Sequence, residues 1–286
     1  MEQSMHYGSD YKSIPAISVQ AGAELEVLPD VYCVTLQIVN IAFIGEAGSN
    51  EFVLVDAGMP SSAETIMEVA ENRFGAGSKP KAIILTHGHF DHVGSTIELI
   101  RHWNVPVYAH QLELPFLTGQ MNYPEPDASV EGGLLAKLSP MFPNEAIQLG
   151  QHIQALPADG TVPHLAGWRW LHTPGHTPGH ISLFREQDRT LIAGDAFVTV
   201  RQDSLYKVIT QEQEVNGPPR YLTTDWAAAK QSVLTLAALK PNVAVTGHGV
   251  PMQGVALTEG LQHLAAQFDQ LAVPDYGKYV TSGMKH

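Results

Sequence analysis

The chain repeatedly drives a short apolar run into histidines and aspartates that lie next to glycine. The densest case is Ala82-Ile83-Ile84-Leu85, which opens directly onto Thr86-His87-Gly88-His89-Phe90-Asp91-His92. Imidazole nitrogens and carboxylate oxygens are ligands for zinc, iron or manganese. Burying so many of them together is costly without a cation to pair with. A fold that carries this stretch at the end of a buried strand is therefore expected to hold metal. In extended backbone, residues i and i+2 point to one side, so His87 and His89 can grip one ion. Asp91 and His92 follow where the chain turns into a helix, and can serve a second ion nearby. Three further candidates close later runs: His176 in Gly175-His176-Thr177-Pro178-Gly179, Asp195 in Ala193-Gly194-Asp195-Ala196, and His248 in Thr246-Gly247-His248-Gly249. Five histidines and two aspartates, with positions left for water, suit a catalytic rather than a structural site. His172 and His180 flank His176. His180 is the candidate for a supporting hydrogen bond behind the ligands, against packing or turn roles for both.

The wider sequence agrees with an α/β enzyme. Short β-rich runs at Glu24 to Val27, Val31 to Leu36, Ile38 to Ile44 and Glu51 to Val55 are separated by turn residues. A helix is expected from Ser61 to Phe74, with Ser61 or Ser62 as its cap and Gly75 at its end. The strand Lys81 to Leu85 is followed by a helix from about Val93 to Trp103 and a strand from Val105 to Tyr108. Open α/β sheets place their sites at such strand ends. Later strands are expected at Trp168 to Leu171, Ile181 to Phe184, Thr190 to Ala193 and Val243 to Val245. Helices are expected from Asp225 to Leu239, with Asp225 as N-cap, and from Thr258 to Leu271. The tail after Pro274 is expected to be poorly ordered.

We read residues 1–286 as one catalytic domain. The proline-rich stretch from about 111 to 165 is expected to be an insertion beside the core, either at the entrance of its site or as a plain surface excursion, and the irregular stretch 201–224 a loop near that entrance. Phe90, Phe197, Tyr206 and Tyr221 are apolar candidates for a substrate pocket, as are Phe116, Met121, Tyr123 and Phe142; core packing explains each of them equally well.

A hydrophobic share of 44% supports a sizeable core. The formal charge of -13, from 16 basic and 29 acidic residues, disfavours nucleic acid or an anionic membrane as partner. A small molecule is expected instead, with a homodimer left open. Cys33 is the one cysteine, so no internal disulfide forms, and its apolar run marks it as a core thiol. The first thirteen residues are polar, without the apolar centre of a signal peptide, and no stretch has the ~20 apolar residues of a membrane span. A cytoplasmic, soluble protein is the expectation.

His-x-His-x-Asp-His, Gly-His-Thr-Pro-Gly-His, Gly-Asp and Gly-His-Gly, in that order, resemble the metallo-β-lactamase superfamily, over about residues 25–272. The resemblance implies an αβ/βα sandwich of two mixed sheets flanked by helices. It implies that His87, His89 and His176 bind one divalent ion, that Asp91, His92 and His248 bind a second, and that Asp195 bridges them. Zinc is the first expectation, with iron or manganese as alternatives. Asp56 matches a family aspartate that supports the site without ligating. The implied activity is hydrolysis of a small ester, lactone, thioester or phosphoester by a hydroxide shared between the ions, with Asp91 orienting it and carrying a proton.

Departures from the subfamilies narrow this. One lactamase class places a cysteine on the second metal, and another lacks the bridging aspartate; Cys33 is far upstream and Asp195 is present. Quorum-quenching lactonases resemble the chain in ligand set and size but carry a tyrosine where Val198 stands. Glyoxalase II enzymes carry a tyrosine where Val250 stands, and basic C-terminal residues not found here. Flavodiiron proteins have glutamate at the His89 position. The alternative is a persulfide dioxygenase, which keeps these motifs but uses one iron.

Overall fold

The structure is a computed structural model that describes residues 4–11, 21–131, 133–200 and 213–280. The chain forms two compact units. Of the described residues, the first comprises 4–11, 21–123 and 143–168, and the second 124–131, 133–142, 169–200 and 213–280. The proline-rich stretch is thus divided between them, with residues 124–142 in the second unit.

The first unit is built on a seven-stranded sheet whose order follows the sequence: β1 (Glu24–Leu28), β2 (Val31–Leu36), β3 (Val39–Ile44), β4 (Val53–Val55), β5 (Ile83–Ile84), β6 (Val107–Ala109) and β7 (Ile153–Ala155). β1 to β4 pair antiparallel, the first two connections being tight turns, and β4 to β7 pair parallel. Parallel neighbours need crossovers, which helices supply: α1 (Ala63–Phe74) between β4 and β5, then α2 (Phe90–Val93) and α3 (Thr96–Trp103) between β5 and β6. β3, β4 and β5 are buried throughout, as expected of strands covered on both faces. Phe52 stacks on Phe74 at 3.8 Å between centroids, and Phe43 tilts against both. Cys33 lies in this core, and burial pushes its thiol up to about 12.

The helix expected from Val93 to Trp103 begins three residues earlier and is split. Gly94 and Ser95 separate α2 from α3 because the loop after β4 presses against them. A Cβ on residue 94 would stand 2.2 Å from Pro60 N. Gly94 N donates to Gly58 O at 2.8 Å, and Ser95 Oγ donates to Met59 O while accepting from Ser62 N. Ser62 accordingly precedes α1 without capping it through its side chain. Replacing glycine by alanine in a helical segment ordinarily stabilises by about 1 kcal/mol. Here Gly94→Ala is expected to destabilise by about 1–3 kcal/mol through overpacking. Equilibrium urea unfolding checks the sign, and a stabilised variant would refute this account of the break.

The second unit carries a five-stranded mixed sheet in the order β14 (Met252–Gln253), β13 (Val243–Thr246), β10 (Thr190–Gly194), β9 (Ile181–Arg185) and β8 (Trp168–His172). β10 pairs parallel with β13 and antiparallel with β9. A separate ladder joins β11 (Val198–Val200) to β12 (Gln213–Asn216). The proline-rich stretch supplies two short helices, α4 (Leu114–Leu117) in the first unit and α5 (Gly133–Leu138) in the second. Asp225 caps α6 (Trp226–Ala238) by accepting from Ala228 N at 2.9 Å. The helix expected at Thr258 to Leu271 starts at Gly254 and breaks at Gln267, giving α7 (Gly254–Ala266) and α8 (Phe268–Leu271). Trp226, Val233, Leu236, Leu257, Leu261 and Phe268 bury their side chains with Phe184 and Leu191 in one core.

Two expectations are corrected. The stretch 201–224 is not wholly irregular, since β12 lies within it. Within the segment after Pro274, the described residues 275–280 are tied down: Asp275 N donates to Glu131, Lys278 N to Asp127 and Tyr279 Oη to Glu125 O. Backbone donors held by acidic side chains, and a phenol held by a backbone carbonyl, keep this segment in place. No helix among the described residues is long and apolar enough to cross a membrane.

Candidate metal centre

In the first unit, the candidate residues gather at the C-terminal ends of the parallel strands. Asp56 follows β4, and Thr86 to His92 follow β5. His89 is extended (φ -66°, ψ 151°) and opens the single turn of α2, where His92 N and Val93 N donate to its carbonyl. His87 and His89 therefore share one side of an extended segment, while the helical turn carries Asp91 and His92. The rings of His87 and His89 stand 4.7 Å apart edge to face, and those of His87 and His92 stand 4.1 Å apart. His92 Nε2 lies 4.0 Å from Asp91 Oδ2. All four residues are buried.

Asp56 organises this half. It sits in left-handed backbone at φ +63°, a conformation aspartate tolerates better than most residues and one that clusters at functional sites. Its Oδ1 accepts from Thr86 N at 2.7 Å, and its Oδ2 accepts from Thr86 Oγ1 at 2.8 Å and His92 Nδ1 at 2.8 Å. A carboxylate accepts only, so His92 carries its proton on Nδ1. The Thr86 hydroxyl spends its proton on Asp56, so its oxygen accepts from His87 Nδ1 at 3.1 Å. Both imidazoles thereby have their lone pair on Nε2, as a metal ligand requires.

The second unit repeats this logic with different partners. Thr223 Oγ1 donates to Pro219 O at 2.7 Å and so accepts from His176 Nδ1 at 3.1 Å, placing the lone pair of His176 on Nε2. That nitrogen is 3.5 Å from Asp195 Oδ2, and His248 Nε2 is 3.2 Å from the same oxygen. His180 has a chain of donors behind it. Ser182 Oγ donates to Ala193 O, so Thr173 Oγ1 donates to Ser182 and accepts from His180 Nδ1 at 2.9 Å. His180 Nε2 then accepts from Asp195 N at 2.8 Å and holds that residue's backbone. His172 has the turn role, with Nε2 donating to Pro178 O at 2.8 Å. His176, His180, Asp195 and His248 are buried.

The pocket candidates fare differently. Phe197 lies within the apolar core of the second unit, and Phe90 is buried at the start of α2. Tyr221 is buried edge-on to Phe142, and its carbonyl accepts from Asp127 N. Tyr206 lies outside the described residues. Sequence reasoning passed over Thr86, Thr223 and Thr173, whose hydroxyls set the imidazole tautomers, because a threonine beside a strand carries no signal of its own. It also missed Glu113 and Tyr11. Burial, followed by the nearby carboxylates of Asp10 and Asp91, raises the Tyr11 phenol far above its ordinary value. Burial and then Glu113 do the same to Tyr123.

The family model of the Metallo-beta-lactamase superfamily matches residues 34–248. A probable metallo-hydrolase of Bacillus subtilis strain 168, YflN, is 49% identical over 259 residues, covering 90% of this chain and 98% of YflN. The hydroxyacylglutathione hydrolase GloC of Haemophilus influenzae is 30% identical over 115 residues, 40% of this chain and 49% of GloC. Among solved structures, TTHA1623 in a di-iron-bound form is 25% identical with a TM-score of 0.51, covering 75% of this chain and 89% of that one.

Proposed function

The chain belongs to the metallo-beta-lactamase superfamily and is a metallo-hydrolase, and from that premise we propose that it cleaves a small ester-type substrate at a two-ion centre. In this reading His87, His89 and His176 would hold one ion, Asp91, His92 and His248 would hold another, and Asp195 would serve both. Groups of histidine and aspartate in this chain are able to hold a metal ion. The observation that carries the reading is the tautomer of three of the five candidate imidazoles. The Nδ1 atoms of His87, His92 and His176 are each engaged by a threonine or aspartate, which presents Nε2 as the ligand atom.

Bound ions supply Lewis acidity and activate water near neutral pH. The chain's own residues do the rest. Asp91 holds the attacking water and passes its proton to the leaving atom. Asp56 fixes His92, and His180 fixes the Asp195 backbone. A thioester is the first substrate class, supported by the GloC likeness; lactones, other esters and phosphoesters follow. Val250 and the want of a basic glutathione grip point to a thioester other than one of glutathione. Zinc is the first metal, with iron or manganese as alternatives. TTHA1623 was solved with two irons.

The test is elemental analysis of the purified protein, followed by turnover of matched thioester, lactone, carboxylic ester and phosphodiester substrates. Two divalent ions per chain with thioesterase or esterase turnover are expected. A single iron with oxygen uptake on glutathione persulfide would replace hydrolysis by dioxygenation.

A further inference from the structure

A carboxylate, a phenol and one backbone amide meet behind the first pair of histidines. Glu113 ends the 3-10 turn Gln111–Glu113, which follows β6 as the heptad follows β5. Its side chain is wholly buried. Gly88 N donates to Glu113 Oε2 at 3.0 Å and to Tyr123 Oη at 3.0 Å, and the Tyr123 hydroxyl donates to the same Glu113 oxygen. The Tyr123 ring lies flat on Phe116, 4.0 Å away and 10° from parallel, and its centroid is 4.6 Å from that of His89. A Cβ on residue 88 would stand 2.5 Å from the Tyr123 hydroxyl.

Gly88 is the link between His87 and His89, and glycine is the residue with the widest choice of backbone conformation. Left to itself it would let the two imidazoles swing apart. Two acceptors on one amide, both on buried side chains, remove that freedom. The absence of a Cβ is what allows the phenol to come so close. We propose that Glu113 and Tyr123 are positioning residues that clamp the Gly88 peptide and so set the separation and aim of the His87 and His89 imidazoles. The inference rests on the reading of those two histidines as ligands of one ion.

Zinc affinity measured by chelator competition tests it, with thermal unfolding of the metal-free protein measured alongside. Tyr123→Phe keeps the ring stack and loses only the hydroxyl. It is expected to weaken zinc binding by about ten- to a hundredfold, the range typical of groups that orient metal ligands. Glu113→Ala is expected to do the same or more, and Glu113→Gln, which keeps an acceptor of the same shape, to recover most of the affinity. Cobalt-substituted Tyr123→Phe should also show a shifted visible spectrum. If Tyr123→Phe unfolds at a lower temperature yet binds zinc with wild-type affinity and spectrum, the clamp is only structural and the proposal fails. If Glu113→Ala does not fold, Tyr123→Phe and Glu113→Gln still decide. Wild-type protein that binds no zinc, or His87→Ala that binds it as tightly as wild type, would overturn the ligand assignment, and the clamp with it.

Discussion

His87→Ala and Asp195→Ala are each expected to remove metal-dependent turnover while leaving most of the fold in place. Groups that only orient ligands command about ten- to a hundredfold in affinity or activity, so loss of a ligand itself should exceed that. The two substitutions probe different units. Removing the His87 imidazole takes one acceptor's partner from Thr86, but the bonds from Thr86 to Asp56 persist, so the strand end keeps its shape. Removing the Asp195 carboxylate takes away the group that His176 and His248 both face, while His180 still holds the residue 195 amide. Circular dichroism close to wild type, together with lost turnover and reduced metal content, is the expected pattern. Full turnover in either variant would remove that residue from the centre.

Asp56 should show the opposite balance, with stability lost as well as activity. Its two oxygens satisfy three buried donors. Hydrogen bonds to a charged group contribute about 1.5–3 kcal/mol each, and they are not additive. Asp56→Ala leaves those donors unsatisfied in a buried place and puts alanine at φ +63°, so a loss of about 3–5 kcal/mol is expected. In a chain of this size that lowers the melting temperature by about 10 °C. Asp56→Asn separates the two roles. Asparagine tolerates left-handed backbone and can still accept from Thr86 N. Its amide nitrogen, however, would take the place of Oδ2 and face both the Thr86 hydroxyl and the Nδ1 proton of His92. Asp56→Asn is therefore expected to fold nearly as well as wild type but to lose one ion's worth of metal. Calorimetry with metal analysis tests both. A melting temperature for Asp56→Ala equal to that of wild type would show that the three bonds contribute little.

Much of the site was legible because its chemistry is local. His87 and His89 are two residues apart on extended chain, and Asp91 and His92 fall in the next helical turn, so spacing alone sorted them into two directions. Asp225 read as a cap because its side chain needs only the amide three residues on. The split of the helix at Gly94 was illegible for the converse reason: it is caused by Pro60, some thirty residues away, pressing on a backbone whose own dihedrals are helical. β12 hid in a stretch with glycine and two prolines because its partner, β11, lies outside that stretch. Phe197 looked as suitable for a pocket as for the core, and its packing among Phe184, Trp226 and Phe268 is a property of the second unit's tertiary structure.

The sequence by itself determined the candidate donors, their order along the chain and the family, because residue identity and spacing are written in consecutive residues. Only the tertiary structure decided how those donors are prepared. Thr86 and Asp56 set the tautomers of His87 and His92, Thr223 sets that of His176, the Thr173–Ser182 chain sets that of His180, and Glu113 with Tyr123 fixes the Gly88 amide. Most of these partners lie ten to fifty residues from the groups they orient. Hydrogen bonds of about 3 Å between such residues exist only once the chain has folded, and no local pattern announces them.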